Sequence, residues 1–337
     1  MTNLQLLWFI LIGILFAGFF FLEGFDFGVG MSVQTLAHNE KERDQLIRTI
    51  GPFWDGNEVW LLTAGGAMFA SFPYWYASLF SGFYLILLLI LVGLIIRGVS
   101  FEFREHFPDE RKNIWNWTLT IGSGMVPFFF GLMFVDLIKG MPLGEEGNMT
   151  ATFTDFVNPF SVVGGVALTL LCYLHGLNYI ALKTEGTIRA RARNYASFFY
   201  WILLAGLVVF AGMLYVKTDF FALHFVTTIG LLIGVVLLTL TAMAGVFKGK
   251  EQLAFIASGL TLIALVALIF TGLFPRVMIS SIDSSYDLLI ANASSSPYTL
   301  KIMSYLSLTI LPFVLAYTVW SYYIFRKRVR HDSAIEE

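Results

Sequence analysis

Residues 7–34 read LWFILIGILFAGFFFLEGFDFGVGMSVQ, an apolar run that still carries two acids, Glu23 and Asp26. A helix that crosses a bilayer needs about 20 predominantly apolar residues. An ionisable side chain inside one costs roughly 2.5–3.5 kcal/mol on insertion scales. The stretch therefore reads as a membrane helix whose carboxyls need either partners or a job. Their spacing of three places them on one helix face. Gly24, Gly28 and Gly30 leave room beside them for close backbone approach.

The rest of the chain agrees with this opening. Of 337 residues, 57% are hydrophobic and only 13% charged, with a mean hydropathy of +0.75; a soluble domain carries about 25% charge. Aromatic residues make up 17%. Trp and Tyr gather where apolar segments end, as in Phe72-Pro73-Tyr74-Trp75-Tyr76 and Trp320-Ser321-Tyr322-Tyr323, the positions of interfacial belts. A net charge of −2 argues against a nucleic-acid partner. The one cysteine, Cys172, excludes an internal disulfide and a thiolate cluster. No Lys or Arg precedes the first apolar run, so that run reads as a retained helix and not a cleavable signal.

The apolar segments predict an all-α polytopic membrane protein, a single domain over 1–337 with nine transmembrane helices. The spans fall at about 7–34, 54–72, 76–97, 117–139, 157–182, 196–216, 222–246, 253–275 and 304–325. The second opens on Asp55 and Glu58 and contains Gly65-Gly66; Pro52 suits its first turn and Pro73 follows its end. With these spans, seventeen of the 21 Lys and Arg residues fall on one side, including Arg326, Lys327, Arg328 and Arg330. Lys139, Lys217, Arg276 and Lys301 fall on the other. The positive-inside rule then puts the N-terminus outside and the C-terminus in the cytoplasm. Loops are short. The longest outer one, about 276–303, is Ser-rich and reads equally as an exposed connector or as a lid or docking surface.

Orientation collects the in-span charges. Glu23 and Asp26 lie in the inner part of the first helix, Asp55 and Glu58 at the inner start of the second, and Arg97 and Glu102 at the inner end of the third. Three readings compete. Chains of carboxylates move protons in membrane proteins, which makes a proton-uptake route. Arg97 or Arg104 could instead neutralise acids that pin three helices together. Several carboxylate oxygens could also hold a cation. Asp136, Asp283 and Asp287 read as solvated or interfacial.

Histidines bear on whether the chain binds haem. His38, His106 and His331 fall in loops; only His175 and His224 are near the membrane. Two in-span pairs are not on offer, and a lone in-span histidine reads as a hydrogen-bonded packing residue. The sequence holds no P-loop, dinucleotide fingerprint, His/Cys metal spacing or nucleophile elbow.

Five motifs, in order along the chain, carry a family likeness: Gly24-Phe25-Asp26-Phe27-Gly28-Val29-Gly30, Trp54-Asp55-Gly56-Asn57-Glu58-Val59-Trp60, Gly65-Gly66-Ala67-Met68-Phe69-Ala70, Phe274-Pro275-Arg276-Val277-Met278 and Asn292-Ala293-Ser294-Ser295-Ser296. With these, the chain resembles subunit II of cytochrome bd-type quinol oxidases. The resemblance implies a bacterial plasma-membrane complex that oxidises membrane quinol and reduces dioxygen to water. It implies that a larger subunit I carries all three haems, two b-type and one d-type, and that this chain binds no haem. It also implies a scaffolding role, a cytoplasmic-side proton pathway, a small single-span accessory subunit in some members and a structural quinone in others. By motif position, the pathway aspartates fall on Asp26 and Asp55, with Glu23 and Glu58 beside them; some members carry Gln where Glu58 stands. Arg97 and Glu102 are left as a supporting ion network. From the residues alone, the reading from another class is a stand-alone proton- or cation-coupled transporter.

Overall fold

The computed structural model describes residues 1–329; Arg330 and His331 lie outside the described residues. The chain folds almost wholly into helices. In order these are α1 (Asn3–Thr35), α2 (Glu40–Ile50), α3 (Trp54–Ser71), α4 (Pro73–Gly82), α5 (Tyr84–Glu105), α6 (Asp109–Lys139), α7 (Phe153–Phe156), α8 (Pro159–Lys183), α9 (Thr187–Lys217), α10 (Phe220–Leu223), α11 (Phe225–Phe247), α12 (Glu251–Leu273), α13 (Ile290–Ala293) and α14 (Pro297–Ile324). Two short strands, β1 (Arg276–Met278) and β2 (Leu288–Leu289), pair antiparallel. Among the described residues, eight helices are long and apolar enough to cross a membrane: α1, α5, α6, α8, α9, α11, α12 and α14. α3 falls short because it opens on the polar residues Asp55, Asn57 and Glu58.

Local chemistry sets the helix starts. Thr2 and Gln5 form a reciprocal capping box at α1. Asn158 caps α8 and Ser296 caps α14, each followed by proline at the first helical position. Pro73 likewise opens α4. The stretch 76–97 is thus divided: α4 ends at Gly82, and α5 begins at Tyr84 and runs on to Glu105. α5 continues past Arg97 because Ser100 and Arg104 find partners on α6. Ser100 bonds Thr118 at 2.7 Å and Arg104 Nε donates to Asn116 Oδ1 at 2.6 Å.

α1 is the axis of the bundle, packed against α3, α6, α8 and α12. Its segment from Glu23 to Val33 is buried at every position. Such all-round burial requires small residues at the crossings. A Cβ added to Gly28 would sit 2.6 Å from the Cα of Gly176 on α8, so the two backbones meet directly.

Three features differ from the sequence expectation. α2 was not anticipated; Asn39 caps it by accepting the Glu42 N–H at 3.0 Å, and it buries Leu46 and Ile50 against the bundle. The Ser-rich segment from 276 onward is also more than a connector. Val277, Met278, Leu288 and Ile290 are buried, and Met141 exchanges backbone hydrogen bonds with Ile279 and Ser281. Arg276 fastens it by donating to both Asp219 oxygens at 2.6 and 2.9 Å. Burial works against the Arg276 charge, but Asp219 and Asp287 outweigh it and hold its pKa above the ordinary guanidinium value. Asp287 is itself tied in, accepting the Ser280 N–H at 2.7 Å. Asp136 is wholly buried, not solvated, because the α8 cap Asn158 donates to its Oδ1 at 2.8 Å.

Candidate functional site

The end of the bundle that carries α2 also carries the buried charges. Arg97 projects from α5 toward α1 and α3. Its Nη1 lies 2.5 Å from Glu23 Oε1 on α1 and 2.6 Å from Glu58 Oε1 on α3. The Glu58 contact is a hydrogen bond, whereas the Glu23 contact is an ion pair out of line for one. The guanidinium also lies over the rings of Phe27 and Phe101, at 5.0 and 5.2 Å. In low-dielectric surroundings these contacts are far stronger than in water, and each lone charge would be costly.

Asp26 lies one helical turn beyond Glu23 on the same face, fully buried. Asn57 Nδ2 donates to Asp26 Oδ2 at 2.6 Å and reaches the Leu22 carbonyl at 3.4 Å. Tyr322 of α14 in turn donates its hydroxyl to Asn57 Oδ1 at 2.8 Å. The remaining oxygens, Asp26 Oδ1 and Glu23 Oε2, are buried without a protein hydrogen bond. Two carboxyls thus meet one guanidinium, with Asp26 one turn away on Asn57, and the acids are graded in depth. The Glu58 side chain is 25% exposed, while those of Glu23 and Arg97 are completely enclosed.

The structure brings together Glu23, Asp26, Glu58 and Arg97. It leaves Asp55 exposed in the first turn of α3 and Glu102 exposed near the end of α5, where its carbonyl meets the His106 ring at 2.9 Å. Arg97 has its partners on α1 and α3, and Arg104 is engaged elsewhere. Arg104 reaches Asp44 at 2.6 Å and Glu40 at 2.8 Å, which binds the end of α5 to α2. Glu42 of α2 pairs with Arg191 and accepts the His38 N–H at 2.7 Å. Burial opposes the Glu42 charge, but His38 and Arg191 outweigh it and hold its pKa below the usual carboxylate range. Asn57 and Tyr322 were missed by sequence reasoning. Asn57 stands between Asp55 and Glu58 in the motif, a visible signal; nothing in the sequence ties Tyr322 to α1.

The fit to a haem can be tested on the histidines. The His175 ring is wholly buried, with Nδ1 2.8 Å from Ser258 Oγ and Nε2 3.0 Å from the Phe21 carbonyl. Neither nitrogen is left for iron. His224 Nε2 is similarly engaged by the Phe274 carbonyl at 2.7 Å. Among the described residues no group of His, Cys, Asp or Glu is arranged to hold a metal ion. These side chains do not fit an axially ligated haem.

A polytopic α-helical membrane protein with an acid cluster centred on one buried arginine is the class that fold and site define. The family model for cytochrome bd terminal oxidase subunit II matches residues 4–325, and the chain belongs to that family. It is 48% identical to the cytochrome bd ubiquinol oxidase subunit 2 of Bacillus subtilis (strain 168), over 98% of each chain. It is 34% identical to the cytochrome bd-I ubiquinol oxidase subunit 2 of Escherichia coli (strain K12), over 95% of this chain and 93% of that one. In fold it is similar to a chain of the bd oxidase from Geobacillus thermodenitrificans, with a TM-score of 0.77 at 14% identity, covering 96% of this chain and 99% of that one. The protein is therefore a multi-pass bacterial membrane subunit of a respiratory oxidase complex.

Proposed function

We propose that this chain is the haem-free subunit of a quinol:oxygen oxidoreductase. It scaffolds the haem-bearing subunit I and delivers protons toward it from the cytoplasmic side. The single observation that carries the proton role is the depth gradient of the acids, from exposed Asp55 and partly exposed Glu58 to enclosed Glu23 and Asp26. Carboxyls in such a series, set in a membrane zone, pass protons between neighbours, and Arg97 stabilises negative charge among them. The buried, unbonded oxygens of Asp26 and Glu23 are places where a proton can rest.

In this reading α3 is the ninth crossing, its polar first turn opening the route at the α2 end, and the N-terminus lies outside. The three haems, two b-type and one d-type, reside in subunit I, in keeping with the engaged histidines of this chain. The complex oxidises a membrane quinol, the substrate class named for its relatives. A structural quinone and a single-span accessory subunit belong to the same reading.

Asp26→Asn and Asp55→Asn in the whole complex should lower oxidase turnover while haem content and subunit stoichiometry stay unchanged. Normal turnover in both assembled variants would sink the conduit. Loss of assembly in both would return the cluster to a purely structural role.

A further inference from the structure

One buried ionisable side chain has no part in the acid cluster yet touches the helix that carries it. His175, on α8, packs against α1. Its ring stacks on Phe255 of α12 at 4.6 Å and 7° and packs against Phe21 and Phe25, at 5.7 and 5.9 Å between centroids. Those two phenylalanines flank Glu23 on α1. A Cβ added to Gly24 would come within 3.8 Å of the His175 ring. The imidazole is therefore fitted to the same turn of α1 that holds Glu23.

Its tautomer follows from its partners. The Phe21 carbonyl can only accept, so Nε2 carries the hydrogen that spans the 3.0 Å between them. The neutral ring is then an acceptor at Nδ1, which faces the Ser258 hydroxyl across 2.8 Å; that hydroxyl also has the Phe255 carbonyl within reach at 3.0 Å. Asn178 supports that orientation by donating to Ser258 Oγ at 3.1 Å and to the Tyr200 hydroxyl at 2.8 Å. From α3, Asn57 reaches the next α1 carbonyl, Leu22, and holds Asp26. The turn from Phe21 to Asp26 is thus held by α8 and α3 at adjacent carbonyls.

The geometry points to His175 as a positioning residue. With its Nε2–H directed at the Phe21 carbonyl, it fixes the α1 turn, and with it the direction in which Asp26 meets Asn57 and Glu23 meets Arg97. It transfers no proton itself. The assignment rests on the proton-pathway reading for its effect on turnover, but its structural content stands separately.

Two substitutions separate the ring nitrogens. In the intact complex, His175→Gln keeps a donor near the Nε2 position, whereas His175→Asn keeps a polar group near Nδ1 and loses the donor to Phe21. The carboxyl C=O infrared band that disappears in Asp26→Asn reports the Asp26 environment directly. His175→Asn should shift that band and lower turnover by up to about 100-fold, as a misplacement of about 1 Å does. His175→Gln should restore the band and most of the turnover. Ser258→Ala, which removes the partner at Nδ1 and loosens the ring, should broaden the band. An unmoved Asp26 band in His175→Asn overturns the proposal, as does equal behaviour of the Asn and Gln variants. Should both His175 variants fail to assemble, Ser258→Ala decides, and an unchanged band there also overturns it. If Asp26→Asn and Asp55→Asn both leave turnover normal, the pathway reading fails while the band shift still tests the positioning.

Discussion

The Arg97 guanidinium lies 2.5 Å from the Glu23 carboxylate, and neither side chain touches solvent. An ion pair enclosed in this way is sustained by its partner: removing one member strands the other, at about 3–5 kcal/mol, whereas replacing both by apolar groups is often neutral. Arg97→Leu should therefore sharply reduce the amount of assembled complex recovered from membranes. The double variant Arg97→Leu with Glu23→Leu should recover a large part of it. Size-exclusion profiles of a fluorescently tagged chain make the comparison, and a double variant worse than the single one contradicts the pairing.

Asn57 is the one amide that both donates to Asp26 and accepts from Tyr322. Asn57→Leu leaves a buried carboxyl without its donor, a loss of about 1–3 kcal/mol, whereas Tyr322→Phe removes one ordinary bond, about 0.5–1.5 kcal/mol. Thermal midpoints of the purified complex should rank wild type above Tyr322→Phe and that above Asn57→Leu. A reversed order would show that the Asn57 contact is of little weight.

Gly28 and Gly176 allow α1 and α8 to touch backbone to backbone. A methyl at either position has nowhere to go without separating the helices, and overpacking of this kind costs about 1–3 kcal/mol. Gly28→Ala should lower the thermal midpoint, while Gly206→Ala, where an added Cβ meets nothing, should leave it unchanged. Equal effects at the two positions would contradict the close crossing.

Glu42 supplies a pH dependence outside the spans. Its folded pKa lies below its ordinary value of 4.5, so its contribution is fully present above that pH and is lost as pH falls through the folded value. The midpoint difference between wild type and Glu42→Gln should be constant near neutrality and shrink below about pH 4.5. A difference that grows on acidification would reverse the sign of this linkage.

The sequence made the membrane helices and the motif acids readable because apolar length and in-span charge are one-dimensional signals. It placed Glu23, Glu58 and Arg97 at one level, but the choice of partner needed three dimensions. Glu102 is close to Arg97 in sequence yet points away, while Glu23 meets it across helices. α2 was overlooked because it is short and charged, although Asn39 followed by Glu42 is a helix-start signal. The bonds of Tyr322 to Asn57 and of His175 to Phe21 join residues far apart along the chain, and no local pattern announces such pairs.

α14 offers a last consequence. No part of its central apolar window is buried within the chain, and it is pinned only toward its ends, by Trp8 to Ser304 at one and by Tyr322 to Asn57 at the other. Chains are made and threaded into membranes from the N-terminus onward, so α1 to α12 can pack before α14 emerges. Until it does, Asn57 lacks its hydroxyl donor and the ring of Phe53 lacks the stacked Tyr322. Completion of the acid cluster is therefore a late event in the birth of the protein, timed by the arrival of a helix that buries almost nothing of its own.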